Sequence, residues 1–359
     1  MIKAAIFTEV KRPLLIEDIE VDRPLPHEVL LRTVASGVCH SDLHFMEGLY
    51  PMATPAVLGH EAAGVVESVG SLVTDFKPGD HVIACLSVFC GKCEHCITGN
   101  PARCQDKPVR PKEERPRLTW RGKPLTQMAN LGAYAEEMLV HENSVVRIRK
   151  DMPLDRAALI GCGVTTGVGA ALNTAAIHGG CSVAVFGTGG IGLGVIQGAR
   201  IGGALQIIAV DVSETKLKTA MDLGATHVVD SSSHDPVQAI KEITGGGADY
   251  TFEAVGLKET AEACWEALKP GGTATIIGMI PVGTKIEIEG SGLRERKLQG
   301  CSMGSNRFKI DMPKYVEFYL QGRLLLDQMI TRRGRLEDVN EAYRAMKARE
   351  VARSVLMFD

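Results

Sequence analysis

With 359 residues, 45% of them hydrophobic and 23% charged, the chain has the composition of a globular protein of roughly two domains with at least one sizeable core. A formal net charge of −3 leaves no electrostatic case for nucleic acid or an anionic membrane as partner, and no run of 18 apolar residues reads as a spanning segment. The opening MIKAAIFTEVKRP lacks the basic and long apolar regions of an export signal, so the ten cysteines are expected in a reducing, cytoplasmic setting, where sulfur serves metals more often than disulfides.

From the start to about Val69, short alternating runs separated by turn residues (Ile2 to Phe7, Leu14 to Ile19, Val29 to Val34, Ala62 to Val69) predict a β-rich domain. Within it lie GVCHSDLHFMEG and LGHEAAG. They place a thiol, Cys39, and an imidazole, His60, outside the strand interiors, and both side chains are good zinc ligands. Either alone reads as a buried thiol or a loop histidine.

The next cluster shifts that balance. Cys90, Cys93, Cys96 and Cys104 follow the spacing C-x2-C-x2-C-x7-C, and four thiolates so spaced can close a tetrahedron round one zinc. With every position filled, such a site is structural, stapling a lobe too small to be held by burial. An iron–sulfur cluster on the same thiolates is the rival, and a zinc-ribbon nucleic-acid reader is weaker for want of a basic stripe. His95 reads as a solvated lobe residue. From Gln105 to Met128 the chain is basic, proline-bearing and aperiodic, which predicts a long surface loop with solvated arginines before strand-like patterning resumes over Ala133 to Ile148. In AALIGCGVTTGVGAA, Cys162 sits between glycines and reads as a tight turn leading into a helix.

The stretch VAVFGTGGIGLGVIQGARIGGALQIIAVD, Val183 to Asp211, reads as strand, glycine turn, helix, strand. Gly187 permits the tight turn, Gly189 lets backbone approach a pyrophosphate, and Gly192 lets helix and strand pack closely; the helix N-terminus offers free N–H groups to phosphate oxygens, and Gly190 is counted among the coenzyme-binding positions. Asp211 lies roughly 20 residues beyond, where a carboxylate accepts hydrogen bonds from ribose hydroxyls and repels a 2′-phosphate, so the expected coenzyme is NAD rather than NADP. Helix and strand patterns then alternate through Ile277, implying a parallel sheet covered on both faces. The tail reads as helix, a strand-like LDQMI, an amphipathic helix over Leu336 to Lys347 and a closing strand SVLMF.

Taken together, GVCHSD, GHEAAGVVESVG, the four-cysteine lobe, GCGVTTG and GTGGIG make the chain resemble, end to end, the zinc-dependent medium-chain alcohol dehydrogenases. The resemblance implies an α/β architecture: a GroES-like β-rich catalytic domain (1–163 and 305–359, with the zinc lobe at 85–105) and a Rossmann doubly wound coenzyme domain (164–304). It implies a catalytic zinc on Cys39, His60 and Cys162, with Glu61 a transient ligand, and a second, structural zinc on the lobe. Ser41 is then expected to hydrogen-bond the substrate oxygen, His44 to pass its proton to solvent, and Asp42 to orient His60. On the coenzyme side it assigns His40 and Arg353 to the pyrophosphate, Lys216 to the adenosine ribose, and Thr166, Ile191 and Val255 to the neighbourhood of the nicotinamide. Many relatives carry arginine where His40 stands.

The resemblance also places Leu86, Asn130, Leu131, Met279 and Ser302 round the substrate, and aliphatic residues there favour a medium-chain or aromatic primary alcohol. S-(hydroxymethyl)glutathione is the alternative substrate, and a non-catalytic zinc- and dinucleotide-binding protein is the remote alternative. The long loop after Cys104 resembles the liver-type branch, which implies a homodimer paired near Lys285 to Cys301. Cys85, Cys181, Cys264 and Cys301 read as packed structural thiols.

Overall fold

The computed structural model describes residues 1–348 and 350–358 and divides them into two compact units. Unit 1 comprises Met1–Cys162, Arg307–Gly322 and the C-terminal segment from Met329; unit 2 comprises Gly163–Asn306 and Arg323–Gln328. The alternating runs near the start become antiparallel strands in unit 1. Ile2–Phe7, Leu15–Val21 and the small strands Ala56–Val57, Leu118–Trp120, Lys123–Pro124 and Thr126–Gln127 form one sheet of six. A sheet of seven is centred on Glu28–Gly37, which pairs with Glu61–Val69, Glu137–His141 and Ser354–Met357. Two apolar cores among the described residues of this unit are filled by side chains such as Phe7, Leu58 and Tyr134, and Val29, Val66 and Leu131. Burial of each large apolar side chain stabilises the fold by about 1.5–3 kcal/mol before ordering entropy is counted.

The basic segment after Cys104 departs from the loop with solvated arginines that its composition suggests. It contains a small hairpin, Leu118–Trp120 with Lys123–Pro124, and two of its arginines are buried. Arg117 Nε donates to Glu28 Oε1 at 2.7 Å, while Arg110 pairs with Glu28 Oε2 at 3.1 Å and also with Asp22. Burial of two guanidinium groups is tolerated only because these two carboxylates meet them. The strand-like LDQMI is likewise a 3-10 turn, Asp327–Met329, and the strand that pairs in parallel with Ser354–Met357 is Arg332–Arg335. That RRGR segment has no apolar alternation to announce a strand.

Unit 2 holds six parallel strands in the spatial order His227–Asp230, Gln206–Asp211, Ser182–Phe186, Ala248–Glu253, Leu268–Ile276, Lys297–Gly300. Numbered along the unit this is 3-2-1-4-5-6, the doubly wound order whose direction of winding reverses between the first and fourth strands. Ser182–Phe186 is buried at every residue, as a central parallel strand covered on both faces must be.

Leu154–Thr174 is helical throughout, with π-helical turns at Ile160–Val164 and Ala170–Thr174. It is apolar and long enough to match a membrane span by composition, yet 83% of that window is buried inside the protein, as for a core helix. Cys162 therefore lies in a widened turn inside a helix rather than in a tight turn before one. Such π-turns re-aim side chains and gather at functional sites.

Candidate metal and coenzyme sites

Cys39 is the N-cap of the helix His40–Met46, His60 immediately precedes the strand Glu61–Val69, and Cys162 projects from the π-turn. The fold brings Cys39, His60, Glu61 and Cys162 together, all buried, with their donor atoms within 4.8 Å of one another. Close approach is possible because Gly37 leaves the carboxylate room: a Cβ there would stand 2.1 Å from Glu61 Oε2. The hydrogen bond from Cys162 holds the Cys39 thiol well below its usual range against the effect of burial, with the charges of His60 and Arg353 adding to the shift. Cys162 is correspondingly raised by that bond and by burial. Burial pushes Glu61 up to about 7 although Arg353 opposes it. Two sulfurs, an imidazole and a carboxylate crowded in this way are a donor set that a soft-tolerant dication such as zinc satisfies.

His60 is oriented from behind. Its Nδ1 lies 3.1 Å from Asp42 Oδ1, the same oxygen accepts from the Gly59 N–H at 3.0 Å, and Asp42 Oδ2 accepts from the Tyr134 hydroxyl at 3.0 Å. The Tyr343 hydroxyl in turn donates to Tyr134 at 3.1 Å. With Nδ1 committed to Asp42, Nε2 is left to face the metal-ligating cluster. Asp42 was legible in the sequence, but Tyr134 and Tyr343 were not; nothing local marks a core tyrosine as the support of a carboxylate far away in the chain.

The lobe sulfurs also converge. Cys93 and Cys96 are 3.5 Å apart, Cys93 and Cys104 3.8 Å, and Cys90 and Cys96 3.9 Å. A tetrahedron with metal–sulfur bonds near 2.3 Å has edges of about 3.8 Å, so these separations suit one zinc. A cluster with one iron behind each thiolate needs its sulfurs farther apart. Backbone N–H groups of Lys92 and Cys93 donate to Cys90 Sγ, at 3.4 and 3.3 Å, which favours the thiolate form. His95 is half-buried beside them.

Residues 25–150 match the alcohol dehydrogenase GroES-like domain, and residues 190–321 match the zinc-binding dehydrogenase family. The alcohol dehydrogenase class-3 of Myxine glutinosa is 39% identical over 365 residues, covering 99% of this chain and 97% of the relative. The chain belongs to the zinc-dependent medium-chain alcohol dehydrogenases. Solved structures agree: an alcohol dehydrogenase zinc-binding domain protein from Burkholderia ambifaria has a TM-score of 0.96 at 35% identity, covering 100% of this chain and 99% of that one. The benzyl alcohol dehydrogenase of Acinetobacter calcoaceticus has a TM-score of 0.94 at 32% identity with the same coverage. The protein is thus a zinc alcohol dehydrogenase, an oxidoreductase that uses a nicotinamide dinucleotide.

In this alcohol dehydrogenase the glycine turn follows Ser182–Phe186. Gly187 has φ +90°, a conformation that side-chain-bearing residues resist, and a Cβ on Gly192 would stand 1.8 Å from the Gly187 carbonyl. Gly189 caps the helix Gly190–Ile201, on whose first turn Ile191 is half-buried. Asp211 ends its strand with Oδ2 accepting from the Thr188 N–H at 2.8 Å and from its hydroxyl at 2.9 Å, a partner that sequence reasoning overlooked. Lys216 lies in the first turn of Glu214–Asp222, Val255 is 47% exposed, and the buried Thr166 hydroxyl donates to Met303 Sδ at 3.3 Å. On unit 1, His40 is exposed at the start of its helix. Arg353, assigned to the pyrophosphate by resemblance, is buried and ion-paired with Glu61. Leu131 is fully buried among the apolar side chains of unit 1. Cys85, Cys181 and Cys264 are buried free thiols, whereas Cys301 is only partly buried.

Tyr134→Phe is expected to weaken zinc retention at the Cys39–His60–Cys162 site by about tenfold while leaving the lobe zinc in place, because Asp42 loses a donor. Chelator competition with zinc quantitation reads this directly; unchanged retention would show that Asp42 orients His60 without the tyrosine.

Proposed function

We propose that this enzyme oxidises primary alcohols, medium-chain or aromatic, to aldehydes with NAD, works as a homodimer and holds two zinc ions per chain. The observation that carries the reading is the buried convergence of Cys39, His60 and Cys162 with Ser41, whose Oγ lies 3.7 Å from Cys39 Sγ. Cys39, His60 and Cys162 would hold a zinc ion that supplies Lewis acidity, and the glycine turn at Gly187 to Gly192 would hold a nicotinamide coenzyme that supplies hydride-accepting capacity. The chain's own residues do the rest. Ser41 accepts the hydroxyl proton at its Oγ while releasing its own, which His44 passes outward. His44 Nδ1 is buried with no hydrogen-bond partner among the described residues, a condition that favours a role requiring a visiting donor or acceptor. Asp42 keeps His60 in one tautomer, and Arg353 pairs with Glu61, the carboxylate of the donor set.

The Asp211 carboxylate supports NAD over NADP, since a 2′-phosphate beside it meets like charge. A penalty of about 3 kcal/mol corresponds to about 10²-fold lower kcat/KM with NADP. The half-buried Leu86 and the benzyl alcohol dehydrogenase likeness support an apolar substrate. The edge strand Lys297–Gly300, which has a strand partner on one side only among the described residues, supports dimerisation through that edge.

An alcohol panel followed by NADH absorbance, run with NAD and with NADP, tests the reading. Benzylic and medium-chain primary alcohols should lead, with NAD strongly preferred. Formaldehyde oxidation that requires glutathione and exceeds every simple alcohol would transfer the assignment to S-(hydroxymethyl)glutathione, and silence across the panel would leave a non-catalytic binding protein.

A further inference from the structure

Glu253 is a carboxylate with no solvent exposure at the C-terminal end of the fourth strand of unit 2. Its Oε1 accepts from the Val255 N–H at 2.9 Å, the Gly256 N–H at 2.7 Å and the Thr260 hydroxyl at 2.7 Å; its Oε2 accepts from the Gly278 N–H at 3.2 Å. Every partner is a donor. Two separate loops, 254–257 after the fourth strand and 277–279 after the fifth, are thereby tied to one side chain. They are pressed together: a Cβ on Gly278 would stand 2.2 Å from the Gly256 nitrogen, and one on Gly256 would stand 2.9 Å from the Met279 carbonyl oxygen. The first loop also rests on the glycine turn, since a Cβ on Gly187 would stand 2.6 Å from Val255 Cγ2.

This clamp stands where the winding of the sheet reverses, in register with Phe186 of the first strand. Ligands of doubly wound sheets bind outside the carboxyl ends of the strands at that reversal. Asp211 and the adenosine half belong to the second-strand side, so the half of the dinucleotide that crosses the glycine turn meets the fourth- and fifth-strand loops. Those loops present apolar side chains to it, with Val255 47% and Met279 38% exposed. A loop wall made chiefly of backbone is positioned only as well as the group that ties it down.

We propose that Glu253 is a positioning residue for the nicotinamide half of the coenzyme, fixing loops 254–257 and 277–279 as one wall. The proposal rests on the dinucleotide reading above. In Glu253→Gln one carboxylate oxygen becomes an NH2 facing backbone donors, so the wall loosens while the side-chain volume is kept.

The test titrates the zinc-loaded enzyme with NADH and, separately, with ADP-ribose, which lacks the nicotinamide. Glu253→Gln should raise the NADH Kd by about tenfold and leave the ADP-ribose Kd within about twofold of wild type. Equal weakening of both ligands would make Glu253 a general support of the sheet end and overturn the proposal, as would no change in either. Should Glu253→Gln fail to fold, Thr260→Val removes only the hydroxyl donor and should give a smaller split of the same kind, with the same two contrary outcomes. Wild-type protein that binds neither ligand would instead refute the dinucleotide reading itself.

Discussion

Replacing Cys162 with alanine is expected to remove one of two zinc ions per chain and to lower kcat/KM for alcohol oxidation by about 10³-fold or more. Cys39, His60 and Glu61 remain, but Glu61 is already paired with Arg353 and burial holds its carboxyl up near 7. A carboxyl so placed is a poor substitute for a thiolate. Lewis-acid stabilisation amounts to several kcal/mol, and each 1.4 kcal/mol or so is tenfold in rate, which sets the expected scale. The coenzyme turn belongs to unit 2, so NADH binding should survive the change. Zinc analysis, NADH titration and steady-state kinetics on the same preparation separate the possibilities. If the variant keeps both ions, or loses one and still turns over at the wild-type rate, the assignment of this cluster as the catalytic metal site is wrong.

Cys93→Ser should have the second large effect, this time on integrity. From Cys90 to Arg103 no residue of the lobe is buried, and Ile97 is 72% exposed, so no apolar core holds these turns in place. What shapes the lobe is the approach of four sulfurs, and structural zinc in small finger peptides contributes an apparent 10–16 kcal/mol or so at neutral pH. The variant is expected to lose the lobe zinc and to be nicked by trypsin after Lys92 or Arg103 at least about tenfold faster than wild type. The ion on Cys39, His60 and Cys162 should stay, because those ligands sit on other elements. Wild-type resistance to trypsin with one ion gone would mean that the lobe is held by contacts other than the metal.

The arrangement of Asp42, Tyr134 and Tyr343 behind His60 shows how much of this site depends on residues without chemistry of their own. Asp42 could be picked out because the family resemblance carried by GVCHSD assigns it to His60. Its tyrosine support is remote in sequence, 92 residues away at Tyr134 and a further 209 at Tyr343, and carries no local mark. The pairing of Arg353 with Glu61 is of the same kind: no local signal in the sequence joins two residues so far apart in the chain.

By itself the sequence determined the features whose causes are local. Four cysteines within a few turns specify a tetrahedral site through spacing alone, and the glycines of GTGGIG specify a turn through the space that a missing Cβ leaves. Buried parallel strands declare themselves as continuous apolar runs, which is why Val183 to Ile277 could be read almost element by element. Tertiary structure decided the features that depend on pairing across the chain. These are the burial of Arg110 and Arg117 against Asp22 and Glu28, the π-turn that aims Cys162 at Cys39, the strand status of Arg332–Arg335, and the clamp at Glu253. A buried charge or a backbone donor is stable only beside a partner of the right kind, and distance along the chain carries no record of which partner the folded protein will supply.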